Sequence, residues 1–180
     1  ATYQQIRDTL FASVDPLSAL TGKTVSGGRL HAFNTLDVLA GDVGDTLGTA
    51  RVTRFAAPAP GDHLIVPSTS IGDGSFGSRD VDLYQITGMS GSTLTAITSL
   101  PDGGTAMDTV LRLFDSTGNE LAVNDDSAGL YSQISYTFAT EGVYYVGVSG
   151  SLNASYNPSV AGSGAVGSTG DYRLDLSLDV

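Results

Sequence analysis

The segment Tyr172-Arg173-Leu174-Asp175-Leu176-Ser177-Leu178 decides the fold: four apolar side chains alternate without error with Arg173, Asp175 and Ser177. Successive side chains of a strand point to opposite faces, so this period of two describes an antiparallel strand with one face buried and one in water. Ile134-Ser135-Tyr136-Thr137-Phe138 repeats the pattern. Between residue 49 and these two stretches, further strands are expected at 49–55, 63–66, 80–87, 92–98, 108–114, 119–123 and 142–149. Turn sequences such as Ser116-Thr117-Gly118-Asn119 and Glu141-Gly142 separate them. Eight or nine short strands without intervening helices imply an all-β chain, a β-sandwich of the jelly-roll or Greek-key kind. Residues 150–170 read as a long Gly/Ser/Asn loop before the last strand.

Upstream the period changes. Thr2 and Gln5 form a capping box, and Ile6, Leu10, Phe11 and Val14 make an apolar stripe at helical spacing, so residues 1–14 are expected to be a short helix stopped by Asp15-Pro16. So short a helix is marginal in water and needs a surface to pack on. Glycines break up residues 17–36. Asp42-Val43-Gly44-Asp45-Thr46 and the loop with Pro58 and Pro60 have the composition of a boundary, with the junction near 37–45. The resulting division is an N-terminal piece, 1–36, a linker with the first strand, 37–60, and the sandwich, 61–180.

Composition narrows the function. The 180 residues contain no cysteine, which excludes a disulfide framework, thiol catalysis and zinc-thiolate binding. Eight basic residues, of which Lys23 is the only lysine, stand against nineteen acidic ones, for a net charge of −11. Such a chain repels nucleic-acid phosphates and anionic membrane surfaces, so neither is an expected partner. Its glycine, serine and threonine, with little lysine or glutamate, suit an extracellular β-rich module, whose export signal would lie upstream of Ala1. Hydrolytic catalysis needs a nucleophile and a positioned base. The histidines, His31 and His63, stand beside no nucleophile elbow, so the chain is read as lacking an active site. Gly162-Ser163-Gly164-Ala165-Val166-Gly167 matches a dinucleotide fingerprint in letters only, because a strand follows it where a helix is needed. The sequon Asn153-Ala154-Ser155 is assigned no role.

The series Asp80-Val81-Asp82-Leu83-Tyr84, Asp108-Thr109-Val110-Leu111-Arg112-Leu113-Phe114-Asp115, Gly118, Leu121-Ala122-Val123-Asn124-Asp125-Asp126, Gly142-Val143-Tyr144-Tyr145-Val146-Gly147-Val148 and Gly170-Asp171-Tyr172-Arg173-Leu174 resembles the bacterial pre-peptidase C-terminal domain. That family is a calcium-associated β-sandwich at the ends of secreted proteases, and the resemblance covers residues 42–180. Tyr3-Gln4-Gln5-Ile6-Arg7-Asp8, Ser13-Val14-Asp15, Leu20-Thr21-Gly22-Lys23 and Gly27-Gly28-Arg29-Leu30-His31-Ala32 resemble the last helix and closing turn of a subtilisin-like protease domain. The resemblance implies that the catalytic Ser, His and Asp of that protease lie upstream of Ala1.

Seventeen of the nineteen acids are aspartates, many at strand ends, where they serve either turns or a hard cation. Calcium takes six to eight oxygens from irregular loops. The resemblance implies one calcium cluster of Asp42, Asp45, Asp73, Asp80 and Asp82 between linker and sandwich. Ligand chemistry suggests a second from Asp108, Asn124, Asp125 and Asp126, with Asn153 or Asn157 from the long loop. The competing explanation is that these residues make Asx-turns and blunt strand edges by charge. Three functions follow: a calcium-stabilised accessory domain of a secreted protease, a module that captures an extracellular protein or polysaccharide, or a self-assembling cell-surface subunit. Tyr131, Tyr144, Tyr145 and Tyr156 are candidates for a binding face, with core packing the commoner use of tyrosine.

Overall fold

A computed structural model describes residues 14–16, 28–30, 42–53, 61–127 and 129–179. The chain divides into two compact units, Ala1–Gly41 and Asp42–Val180. In the first, β1 (Val14–Pro16) pairs antiparallel with β2 (Gly28–Leu30). Val14, the last residue of the expected helical stripe, therefore opens a strand. Ile6, Leu10, Phe11 and His31 lie outside the described residues.

Among the described residues, the second unit is a β-sandwich of nine strands, in keeping with the alternating sequence. One sheet has the order β3-β5-β10-β7-β8, formed by Arg51–Val52, Val81–Gly88, Gly142–Gly150, Thr109–Asp115 and Glu120–Asn124. The other has the order β4-β11-β6-β9, formed by Asp62–Ile71, Gly170–Asp179, Thr93–Ser99 and Gln133–Thr137. All pairings are antiparallel except β3 with β5, which are parallel. The inner faces share one core. Tyr172, Leu174, Leu176 and Leu178 of β11 pack with Tyr84 and Ile86 of β5, Leu111 and Leu113 of β7, and Val146 and Val148 of β10.

The five-stranded sheet is buried on its outer face as well. Val81, Leu83, Phe114 and Tyr145 form a second cluster beneath Tyr156, Leu47 and Ala50, so residues 150–170 are a cover and not a free loop. Gly147 permits this closeness: a Cβ there would overlap the Tyr156 hydroxyl. Arg112, also on this face, lies 4.6 Å from the Phe114 ring centroid and 4.4 Å from that of Tyr156. Its guanidinium donates to Glu120 Oε2 at 2.6 Å and to the Tyr156 carbonyl at 2.7 Å.

Candidate metal centre

Asp42 lies in the segment that enters the sandwich, and Asp73 and Asp80 flank the connection from β4 to β5. Val43 anchors the first segment by burying its side chain in the core, and Leu83 N–H donates to the Gly44 carbonyl at 3.2 Å. A single 3-10 turn, Gly77–Arg79, brings the second segment back to β5. One carboxylate oxygen from each of Asp42, Asp73 and Asp80 lies within 4.8 Å of the other two. Among the described residues no other three carboxylate or imidazole side chains gather so closely. Gly74 leaves the room this needs, since a Cβ there would overlap the Asp42 carboxylate.

Asp80 is buried and well held: Gly72 N–H donates to its Oδ2 at 2.6 Å and Val81 N–H to its Oδ1 at 3.0 Å. Asp45 stands beside it and accepts from Val81 N–H at 3.2 Å. Crowding shows in the acidities. Desolvation, with the charges of Asp80 and Asp73, pushes Asp42 up to about 6. Burial, opposed by the Gly72 amide and assisted by Asp45 and Asp73, pushes Asp80 up to about 6, and burial also raises Asp45. Carboxylates so placed favour sharing a proton or a cation.

Asp82 sits behind this group on the inner face of β5, fully enclosed. The Tyr172 hydroxyl donates to its Oδ2, and Tyr84 and Tyr172 hydroxyls lie 2.7 Å apart, whereas Asp82 Oδ1 is buried with no hydrogen-bond partner. Desolvation raises its pKa well above the ordinary value, and the charges of Asp80, Asp42 and Asp73 add to the rise. The donor set of hard oxygens, the glycine cradle and the orphaned buried oxygen nearby all fit a hard divalent cation.

The other expected cluster does not converge in the same way. Asn124 Oδ1 accepts from Gln133 N–H at 2.9 Å, closing the turn into β9, and the Asp125 and Asp126 side chains are exposed. Their charges still reach Asp108, whose pKa is raised by desolvation first and by Asp125 and Asp126 next; its Oδ1 is buried without a partner. Asn157 Oδ1 caps its own turn, accepting from Ser159 N–H at 2.9 Å. Asn153 lies beside the strand of the first cluster instead: it is buried, and its Nδ2 donates to the main-chain carbonyl of Asp80 at 3.2 Å. That burial also encloses the sequon asparagine.

Sequence reasoning overlooked Gly74, and it did not link Tyr84 and Tyr172 to Asp82. Period-two alternation within Asp82-Leu83-Tyr84 was the available signal, since it sends Asp82 and Tyr84 to one face. His63 lies on the outer face of the four-stranded sheet, its Nε2 3.4 Å from Asp175 Oδ1, with Ser177 opposite in register. β11 lies between β4 and β6, which engage its backbone amides in two ladders, and Arg173 clamps Asp175 at 2.7 and 2.8 Å. The backbone donors that an oxyanion requires are spent there.

Residues 80–150 match the family model of the bacterial pre-peptidase C-terminal domain. This segment is similar to that domain. The match to the pre-peptidase C-terminal domain runs from the buried Asp80 of the metal centre to the end of β10. A probable subtilase-type serine protease of Deinococcus radiodurans is 36% identical over 72 residues, covering 39% of this chain and 10% of that protein. The chain thus spans about a tenth of the length of this curated relative. Among solved structures, a pre-peptidase C-terminal domain of a Bacillus anthracis collagenase aligns at TM-score 0.42 and 15% identity, over 71% of this chain and 93% of that one. A periplasmic inhibitor of g-type lysozyme from Aeromonas hydrophila aligns at TM-score 0.44 and 16% identity, over 72% and 96%.

Proposed function

We propose that the chain is the non-catalytic, calcium-stabilised C-terminal accessory domain of a secreted subtilisin-like protease, working outside the cell or at its surface in secretion, folding or substrate attachment. The observation that carries the calcium reading is the meeting of Asp42, Asp73 and Asp80. The similarity to the Deinococcus radiodurans protein supports a protease as the parent. Asp42, Asp73 and Asp80 would hold the ion, with Asp45 adjacent and Asp82 behind. Bound calcium supplies positive charge where four raised or crowded carboxylates otherwise repel one another. Extracellular modules commonly bind it at 10⁻⁴ to 10⁻³ M, a range suited to secreted proteins.

Calcium that binds only the folded form at a hundred times its Kd stabilises by about 2.7 kcal/mol. For a chain of this size that is a rise in Tm of roughly 5–10 °C. Thermal melts in calcium and in chelator are expected to differ by that amount, and Asp73→Asn is expected to abolish the difference. Coincident melts, with no heat of calcium binding by calorimetry, would sink the calcium reading.

A further inference from the structure

The sandwich is strongly asymmetric from pole to pole. Among the described connections, the alternating strand directions bring 72–80, 100–108, 125–132 and 151–169 to one end, and 89–92, 116–119 and 138–141 to the other. Six of the ten exposed large apolar side chains among the described residues stand on the first four loops: Phe76, Leu100, Leu130, Leu152, Val160 and Val166. The three described loops of the opposite pole carry none of the ten. Leu152 is the extreme case, 77% exposed and held at φ 76°, where only glycine and asparagine sit at ease. An apolar side chain kept both strained and in water costs the fold and is available for a contact.

These loops are tied into one body. Gly167 N–H donates to Ser78 O at 2.7 Å, Ser151 N–H to Asp108 O at 2.9 Å, Thr109 N–H to Leu130 O at 2.9 Å and Asp171 N–H to Thr105 O at 2.8 Å. The apolar tips are therefore presented on a pre-organised surface, which lowers the entropic cost of binding. Charge identifies the occupant. Asp73, Asp102, Asp125 and Asp126 are exposed on the same loops and Asp108 is partly exposed, against the single cation Arg79. An anionic bilayer is repelled by such a rim, whereas a basic polypeptide with apolar side chains matches both of its features.

We infer that this pole is a docking surface for a cationic, apolar-bearing polypeptide segment. Asp102, Asp125 and Asp126 lie outside the proposed calcium ligands, so the surface keeps its sign with calcium bound, and it stands independently of the calcium reading. The test uses the full 180-residue chain in calcium buffer and, as probe, a synthetic amphipathic Leu/Lys peptide followed by fluorescence anisotropy. Comparison probes replace its Lys by Glu or its Leu by Ser, and vesicles of anionic lipid are run beside them. Saturable binding of the Leu/Lys peptide alone is expected. Leu152→Asn with Val166→Ser, and separately Asp125→Asn with Asp126→Asn, are each expected to weaken it about tenfold. Val143→Ser with Glu141→Gln, at the opposite pole, is expected to leave it unchanged. The inference is overturned by no saturable binding, by equal binding of the Ser/Lys or Leu/Glu peptide, by equal loss at both poles, or by capture of the vesicles in place of the peptide. Melting temperature of each variant reports whether a loss arises from unfolding.

Discussion

Tyr172 carries more than its ring. Its hydroxyl donates to Asp82 Oδ2, which leaves Tyr84 to donate to Tyr172 across 2.7 Å, so two phenols serve one enclosed carboxylate. Removing one partner of a buried polar pair leaves the other with its full desolvation cost. Tyr172→Phe is accordingly expected to destabilise the fold by about 1–3 kcal/mol, measured as a fall in the urea midpoint at constant m-value. Asp82→Asn in the same background is expected to recover part of that loss, because a neutral amide is cheaper to enclose than a carboxylate. Equal additive losses in the double variant would show that the two side chains do not interact. The residues of this network are visible in the sequence, whereas their meeting is not. Tyr172 and Asp82 lie on strands of different sheets, and alternation gives each residue's face without giving which inward side chain it meets.

At the scale of elements, the segment 42–50 and the β4–β5 connection meet through acids of the same sign, which makes their stability depend on pH in opposite directions with and without calcium. Folded-state pKa values of Asp42 and Asp80 near 6 lie above the ordinary 3.8. Without a cation, the contribution of such groups is fully present below about pH 4 and is lost as pH rises through about 6. Calcium requires the deprotonated form, so its stabilisation appears above about pH 6 and fades below it. In chelator, Tm is expected to rise as pH is lowered from about 7.5 to 5. The gain in Tm on adding calcium is expected to shrink over the same interval. A calcium gain that is flat across this range would argue that these carboxylates are not the ligands. Asp115, which accepts from Thr117 and Asn119 N–H and has its pKa pulled well below the usual range, acts outside this window. The family resemblance of the sequence implied Asp42, Asp73 and Asp80 as members of one cluster. It gave no signal that Gly74 would admit them to one place, since that depends on the path of the connecting loop.

Across the whole molecule, alternation in β11 and β9 marks a sheet with one wet face, and the run Val110-Leu111-Arg112-Leu113-Phe114 in β7, apolar except for Arg112, marks a sheet buried on both. The run does not say what supplies the second cover. Here it is the segment 151–169, whose composition of Gly, Ser and Asn looks like solvent-exposed loop but whose Tyr156 and Asn153 are buried. Arg112 holds that cover to the sheet by stacking on Tyr156, donating to the Tyr156 carbonyl and bracing against Glu120. Cation–π stacking and charge-assisted hydrogen bonds of this kind together contribute about 3 kcal/mol. Arg112→Ala is expected to lose about that amount and to open residues 151–169 to limited proteolysis while the inner core stays folded. Arg112→Lys is expected to rescue little, because an ammonium lacks the planar fork that stacks and donates at two angles. Should the lysine variant restore both stability and protease resistance, charge alone would hold the cover. Cleavage of Arg112→Ala elsewhere first would place the weak point of the sandwich outside this loop.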